Sequence, residues 1–173
     1  MRHLLLISAA ALLAAPAAAQ EAAATFIDAN GTEAGMVSLV QQGDSVAISG
    51  EVAGISPGPH GIHFHQTGDC DASKAFESAG GHFNPTDHRH GLENPEGPHL
   101  GDLPNVEAGE DGTVAINLTS DRISLVESEE GYVFDDDGTA LVIHAGEDDQ
   151  VTDPSGDSGD RIACAVIEAT AAP

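Results

Sequence analysis

The chain has 173 residues with 29 acidic and 5 basic side chains, a formal charge of −24 when histidines are neutral. So large an acidic excess excludes nucleic acid as a partner, because phosphate binding needs a basic surface. The length suits one domain with a sizeable core and leaves little room for two.

At the amino terminus, Arg2 and His3, the apolar run 4–15 and the small residues Ala17, Ala18 and Ala19 have the three-part layout of a secretory signal peptide, with cleavage expected after Ala19. The run is too short and too alanine-rich for a good membrane span, and no later stretch approaches 18 consecutive apolar residues. The expectation is a signal peptide over 1–19 and a single domain over 20–173, periplasmic or secreted. In that oxidising compartment the only two cysteines, Cys70 and Cys164, can form a lasting disulfide; two unpaired buried thiols are the alternative.

The remaining segments follow a strand rhythm, short and alternating in polarity between glycine, proline, asparagine and aspartate. Residues 24–28 open it. Residues 36–41 and 46–52 flank Gln42-Gly43-Asp44 as a hairpin, 60–65 follow, and Val114, Ile116 and Leu118 alternate with polar neighbours. Residues 139–144 and 161–168 close the series. Seven or eight such strands, with no persuasive helical period, imply an all-β sandwich or barrel. Residues 66–104 and 145–160 break the rhythm and are too long for structureless loops, so something other than apolar burial must order them. The acidic runs at 127–130 and 135–137 read as solvated loops, without the spacing of an EF-hand calcium loop.

The chemistry lies in the histidines. His63-Phe64-His65 occupies a predicted strand, where residues two apart share a face and both imidazoles can reach one ion. Alone, such a pair is as readily an accident of surface or core. His144 ends the apolar run 140–143 and needs a metal or a hydrogen-bond partner if buried; a satisfied core histidine is the plain alternative. The long loop adds His82, His90, His99 and Asp102 on a segment almost without apolar residues. Three imidazoles and a carboxylate make a closed zinc tetrahedron, and binding a metal can order a loop that burial cannot.

Taken together, these segments resemble the bacterial copper/zinc superoxide dismutases. Gly61-Ile62-His63-Phe64-His65-Gln66-Thr67-Gly68-Asp69-Cys70 matches the first family signature. Gly81-His82-Phe83-Asn84-Pro85, His90-Gly91, His99-Leu100-Gly101-Asp102-Leu103, Val142-Ile143-His144 and Gly159-Asp160-Arg161-Ile162-Ala163-Cys164 follow in family order. The resemblance implies an eight-stranded antiparallel Greek-key barrel with a long metal-binding loop and an electrostatic loop. It implies copper on His63, His65, His82 and His144, and zinc on His82, His90, His99 and Asp102, one of each per chain. His82 would bridge the two metals. The family pattern favours His90 over His88 for zinc.

The resemblance further implies that Asp148 accepts hydrogen bonds from His63 and His90, that Cys70 and Cys164 pair, and that Arg161 guides the superoxide anion to copper. Ser155 matches the small hydroxyl residue that narrows the family's channel. His82 would be both ligand and acid in a cycle that turns two superoxide radicals into dioxygen and hydrogen peroxide. Two positions depart from the family pattern: Asp157 stands where glycine or asparagine is usual, and Ala165 where glycine is usual. A copper-binding or copper-delivery protein without catalysis on the same fold is the competing expectation. Both a monomer and a homodimer fit the sequence.

Overall fold

The structure, a computed structural model, describes residues 20–127 and 129–170, so the signal peptide expected over 1–19 lies outside the described residues. Ten strands form one antiparallel sheet: β1 (Glu21–Asp28), β2 (Glu33–Gln42), β3 (Ser45–Ala53), β4 (Gly58–His60), β5 (Ile62–His65), β6 (Val106–Ala108), β7 (Thr113–Ser120), β8 (Ala140–His144), β9 (Arg161–Val166) and β10 (Glu168–Ala169). The hydrogen-bonded order is β4-β6-β7-β3-β2-β1-β9-β8-β5, with β10 beside β1.

The two ends of that path, β4 and β5, are separated in the chain by Gly61 alone, so the sheet wraps round and the split strand forms its seam. Counting β4 with β5 and β10 as the continuation of β9 recovers the expected eight-stranded barrel. The links from β3 to β4 and from β7 to β8 pass over intervening strands, which makes the Greek key. Among the described residues no helix is long and apolar enough to cross a membrane.

Side-chain alternation fills the barrel. Ala22, Ala24 and Phe26 of β1, Val37 and Leu39 of β2, Val46, Ile48 and Val52 of β3, and Val114 and Ile116 of β7 all point inward. The β2–β3 hairpin closes on Gly43 and Asp44, where Gly43 takes the left-handed φ of 62° that a two-residue turn demands.

β5 and β8 differ, because both of their faces are covered. Ile62 and Phe64, with Leu141 and Ile143, enter the main core, while Ala140 and Val142 meet Phe76, Ala79 and Cys164 in a second apolar cluster outside the wall. This accounts for the uninterrupted apolar run of β8. It also puts His63, His65 and His144 on the outer face, beneath the two long loops.

Sequence reading missed β6 and two 3-10 turns, Ala72–Lys74 and Glu77–Ala79, inside the long segment. Cys70 and Cys164 form the disulfide that ties this segment to β9.

Candidate metal centre

Short β-bridges bring the loop ligands to the strand ligands. Phe64 N donates to Gly101 O (2.9 Å), and Phe83 N donates to Phe64 O (2.8 Å). These bonds set His63 opposite Asp102 and His65 opposite His82. Since Phe64 faces the core, the pairing holds the two histidines outward toward the loop.

The structure gathers His63, His65, His82 and His144 with one candidate ligand atom each, all within 4.8 Å of one another, and does the same for His63, His82, His90 and Asp102. His99 joins the second group: its Nδ1 lies 3.4 Å from His82 Nδ1 and 3.3 Å from Asp102 Oδ1. Asp102 Oδ1 is also 2.9 Å from His82 Nδ1 and 3.1 Å from His90 Nδ1. A tetrahedron with zinc bonds of ~2.0 Å has edges of about 3.3 Å, and these four separations lie near that value. The other oxygen, Asp102 Oδ2, accepts from Gly91 N (2.8 Å) and His99 N (3.0 Å), which leaves Oδ1 for a cation.

On the other side each ring has one nitrogen engaged and the other turned inward. His63 Nε2 donates to Asp148 Oδ2 (2.7 Å), His65 Nδ1 to Gly80 O (2.9 Å) and His144 Nδ1 to Gly159 O (3.1 Å). His65 Nε2 and His144 Nε2 then face each other at 3.4 Å. His63 Nδ1 and His82 Nε2 are buried without any hydrogen-bond partner. Buried orphan nitrogens are costly unless something electropositive is bound, and a metal ion between these rings supplies it. The donor set fits both ions: four nitrogens suit copper, and three nitrogens with one carboxylate suit zinc.

Electrostatics prepare the rings. Burial pushes His63 down to about 3 against the Asp148 contact, and His144 down to about 4 against the Gly159 contact. Burial also lowers His65 and His82, so these rings are neutral at pH 7. His90 goes the other way: burial opposes its charge, but Asp102 and Asp148 outweigh that and lift it to about 9. A metal must therefore displace a proton from His90. Asp102 and Asp148 resist burial and stay well below the usual carboxylate range, because their histidine neighbours and backbone N–H groups stabilise the anions.

Asp148 joins the two groups, since its Oδ1 accepts from His90 Nε2 at 3.0 Å while Oδ2 holds His63. Arg161 leaves the end of β9, opposite His144, and its two terminal nitrogens donate to Phe76 O and Gly80 O, both at 2.6 Å. Gly80 O is thus shared with His65. Burial lowers the pKa of the guanidinium, which nonetheless remains a cation. Ser155 is half-buried, and its carbonyl accepts from Ser158 Oγ (2.8 Å). His88 is exposed and donates to Pro98 O (3.2 Å), apart from both groups.

The two departures from the family pattern also find their places. Asp157 has φ of 51°, the left-handed region that explains a preference for glycine or asparagine there, and Ala165 is fully buried opposite Leu141.

Sequence reading missed several residues that support the ligands. Asp153 Oδ1 accepts from His90 N (2.8 Å), and Asn94 Nδ2 donates to His90 O (2.9 Å). Gly156 has φ of 65°, and a Cβ there would overlap Asp148 Oδ1 and press on His90 Nε2. Asn105 contacts the main chain of Asp148. Lone loop residues of these types carry no spacing signal, so only the folded chain identifies them.

Comparison with known proteins agrees with this geometry. The family described as copper/zinc superoxide dismutase (SODC) matches residues 33–167. The chain is 40% identical over 146 residues to superoxide dismutase [Cu-Zn] 1 of Aquifex aeolicus (strain VF5), covering 84% of this chain and 86% of that protein. It is 40% identical over 149 residues to superoxide dismutase [Cu-Zn] of Caulobacter vibrioides, covering 85% of each. It is 38% identical over 143 residues to the superoxide dismutase-like protein YojM of Bacillus subtilis, covering 82% of this chain and 72% of that one. Among solved structures, that of a SOD-like protein from Bacillus subtilis superposes with a TM-score of 0.80 at 36% identity, covering 83% of this chain and 96% of the other. With copper and zinc implied by the match and two histidine groups able to hold them, the chain belongs to the copper/zinc superoxide dismutase family, among its bacterial members.

Proposed function

We propose that the protein is a catalytically active superoxide dismutase, exported to the periplasm or beyond after removal of residues 1–19, with residues 20–173 as its single domain. The observation that carries the reading is the position of His82. Its Nδ1 faces the Asp102 group, and its Nε2 faces the other histidines with no partner. One imidazole shared in this way joins two metal pockets.

In this reading His63, His65, His82 and His144 hold one copper, and His82, His90, His99 and Asp102 hold one zinc. When bound, copper supplies the redox chemistry: one superoxide gives up an electron and leaves as dioxygen, and a second takes it with two protons and leaves as hydrogen peroxide. His82 Nε2 is the acid of the site, able to carry a proton beside the reacting anion whenever it is not a ligand. Asp148 fixes the tautomer and orientation of His63 and His90. Arg161, with two nitrogens anchored on loop carbonyls, presents its remaining N–H groups and its charge to a small anion. Ser155 narrows the approach.

Metal content and dismutation rate of the purified protein test the reading, beside His82→Ala and Arg161→Ala. The expected result is one copper and one zinc per chain, with activity reduced about a thousandfold by His82→Ala and about tenfold by Arg161→Ala. The similarity to a dismutase-like protein supports a second reading, a copper-binding or copper-delivery protein without turnover. Copper bound without zinc and without activity would establish that one instead.

A further inference from the structure

Behind the metal centre the two long loops meet at a half-buried asparagine. Asn105 lies one residue before β6, where the metal-binding loop ends. Its Nδ2 donates to Asp148 O at 2.8 Å, and its Oδ1 accepts from Asp148 N at 2.9 Å. A single side chain thus engages both polar groups of one residue's main chain. One bond would restrain distance only; two in parallel restrain orientation as well.

The residue held in this way is the one whose carboxylate reaches both histidine groups, through His63 at 2.7 Å and His90 at 3.0 Å. Gln150 Nε2 to Leu103 O, at 3.3 Å, is the neighbouring and longer tie between the same loops. A shift of the Asp148 backbone would be transmitted through a rigid carboxylate to one ring in each pocket.

We propose that Asn105 is a positioning residue of the metal centre: its reciprocal pair with the Asp148 main chain sets the Asp148 carboxylate against His63 and His90, and so fixes ring orientation in both pockets. This rests on reading the two pockets as metal sites. Asn105 contacts no ligand ring itself and acts only through Asp148.

The test compares Asn105→Asp and Asn105→Ala with the parent protein and with Ile48→Val, a core change in β3 of the barrel wall that lowers general stability. Zinc affinity is measured by competition with a chromophoric chelator, and the copper pocket by the paramagnetic resonance spectrum of the metal-loaded protein. Asn105→Asp preserves shape but turns a carboxylate oxygen toward Asp148 O, and is expected to weaken zinc binding about tenfold and to alter the copper spectrum. Asn105→Ala changes both in the same direction by less, while Ile48→Val changes neither. Parent-like zinc affinity and copper spectrum in both Asn105 variants would overturn the proposal, as would equal weakening by Ile48→Val. A parent protein that takes up neither metal would overturn the metal reading, and this inference with it.

Discussion

The barrel wall of β1, β2, β3 and β7 and the outer layer formed by 66–105 and 145–160 belong to one domain but are held by different forces. In the wall, Val37, Leu39, Ile48 and Val114 are at most 1% exposed and packed in one apolar cluster. The outer layer sends Phe83 and Leu103 into that cluster and shares a second, small one of Phe76, Ala79, Ala140, Val142 and Cys164; beyond these it is fixed by the Cys70–Cys164 disulfide and by bonds to His63, His90, Asp102 and Asp148. Apolar packing is non-directional and tolerates shape-preserving change, whereas a hydrogen-bonded ligand cage fails when one angle is lost. Each region should therefore respond to a different perturbation.

Metal removal should separate them most. Free metal about a thousandfold above its Kd stabilises by ~4 kcal/mol. Chelation should then lower hydrogen-exchange protection of the amides at 81–83, 99–103 and 144–150 by about a thousandfold, while those of β2, β3 and β7 lose far less. Equal loss in both regions would show that the outer layer and the wall unfold as one unit.

Point substitutions sharpen the contrast. Ile48→Ala empties a core position and should cost about 3 kcal/mol in urea unfolding while leaving zinc affinity unchanged. Gly156→Ala should cost about 2 kcal/mol, from the left-handed φ and from overlap with Asp148, and should weaken zinc binding as well. If Ile48→Ala also weakened zinc binding, the separation of the two regions would fail.

The same division explains what the sequence discloses. Alternation in 36–41, 46–52 and 114–118 marks the wall, because a half-buried strand must alternate. The candidate ligands are legible because metal chemistry favours histidine and aspartate, and because the order of their motifs resembles a known family. β6 is invisible: with three residues, Val106–Ala108, it has no room for a pattern. Asn105 and Asp153 bond to backbone groups, and Gly156 leaves room for the Asp148 and His90 side chains; any loop residue of their type could do the same, and only the folded chain singles them out.

For the metal-stripped protein the shifts predict a stability maximum near pH 6.5. The folded-state values of His63 (about 3) and His144 (about 4) are depressed, so below ~6.5 the unfolded chain binds protons that the folded one refuses. Stability should fall as pH drops from 6.5 toward 4, and the lowered Asp102 and Asp148 extend that loss at still lower pH. His90, raised to about 9, acts in the opposite sense: its contribution is complete below ~6.5 and is lost as pH rises to 9. Urea midpoints measured from pH 4 to 9 in chelator check this. A midpoint that continues to rise above pH 7.5 would contradict the His90 assignment.

The smallest expected effect concerns the approach of the anion. Among residues 20–173 the cations are Lys74, Arg89, Arg122 and Arg161, against 29 acidic residues. Lys74 pairs with Asp71 (3.0 Å), Arg89 with Glu96 (3.2 Å) and Asp153 (3.3 Å), and Arg122 with Asp121 (3.2 Å). Arg161 alone makes no such pair among the described residues; it is anchored on the carbonyls of Phe76 and Gly80, the latter shared with His65. Its attraction acts at short range, while the acidic surface repels superoxide at long range. The Debye length shrinks from ~30 Å at 0.01 M salt to ~8 Å at 0.15 M, which screens the distant repulsion and spares the near attraction. The dismutation kcat/KM should therefore lie below the diffusional ceiling and rise about twofold over that salt range. A rate that falls with salt would mean that the local field of Arg161 and the metals outreaches the acidic surface.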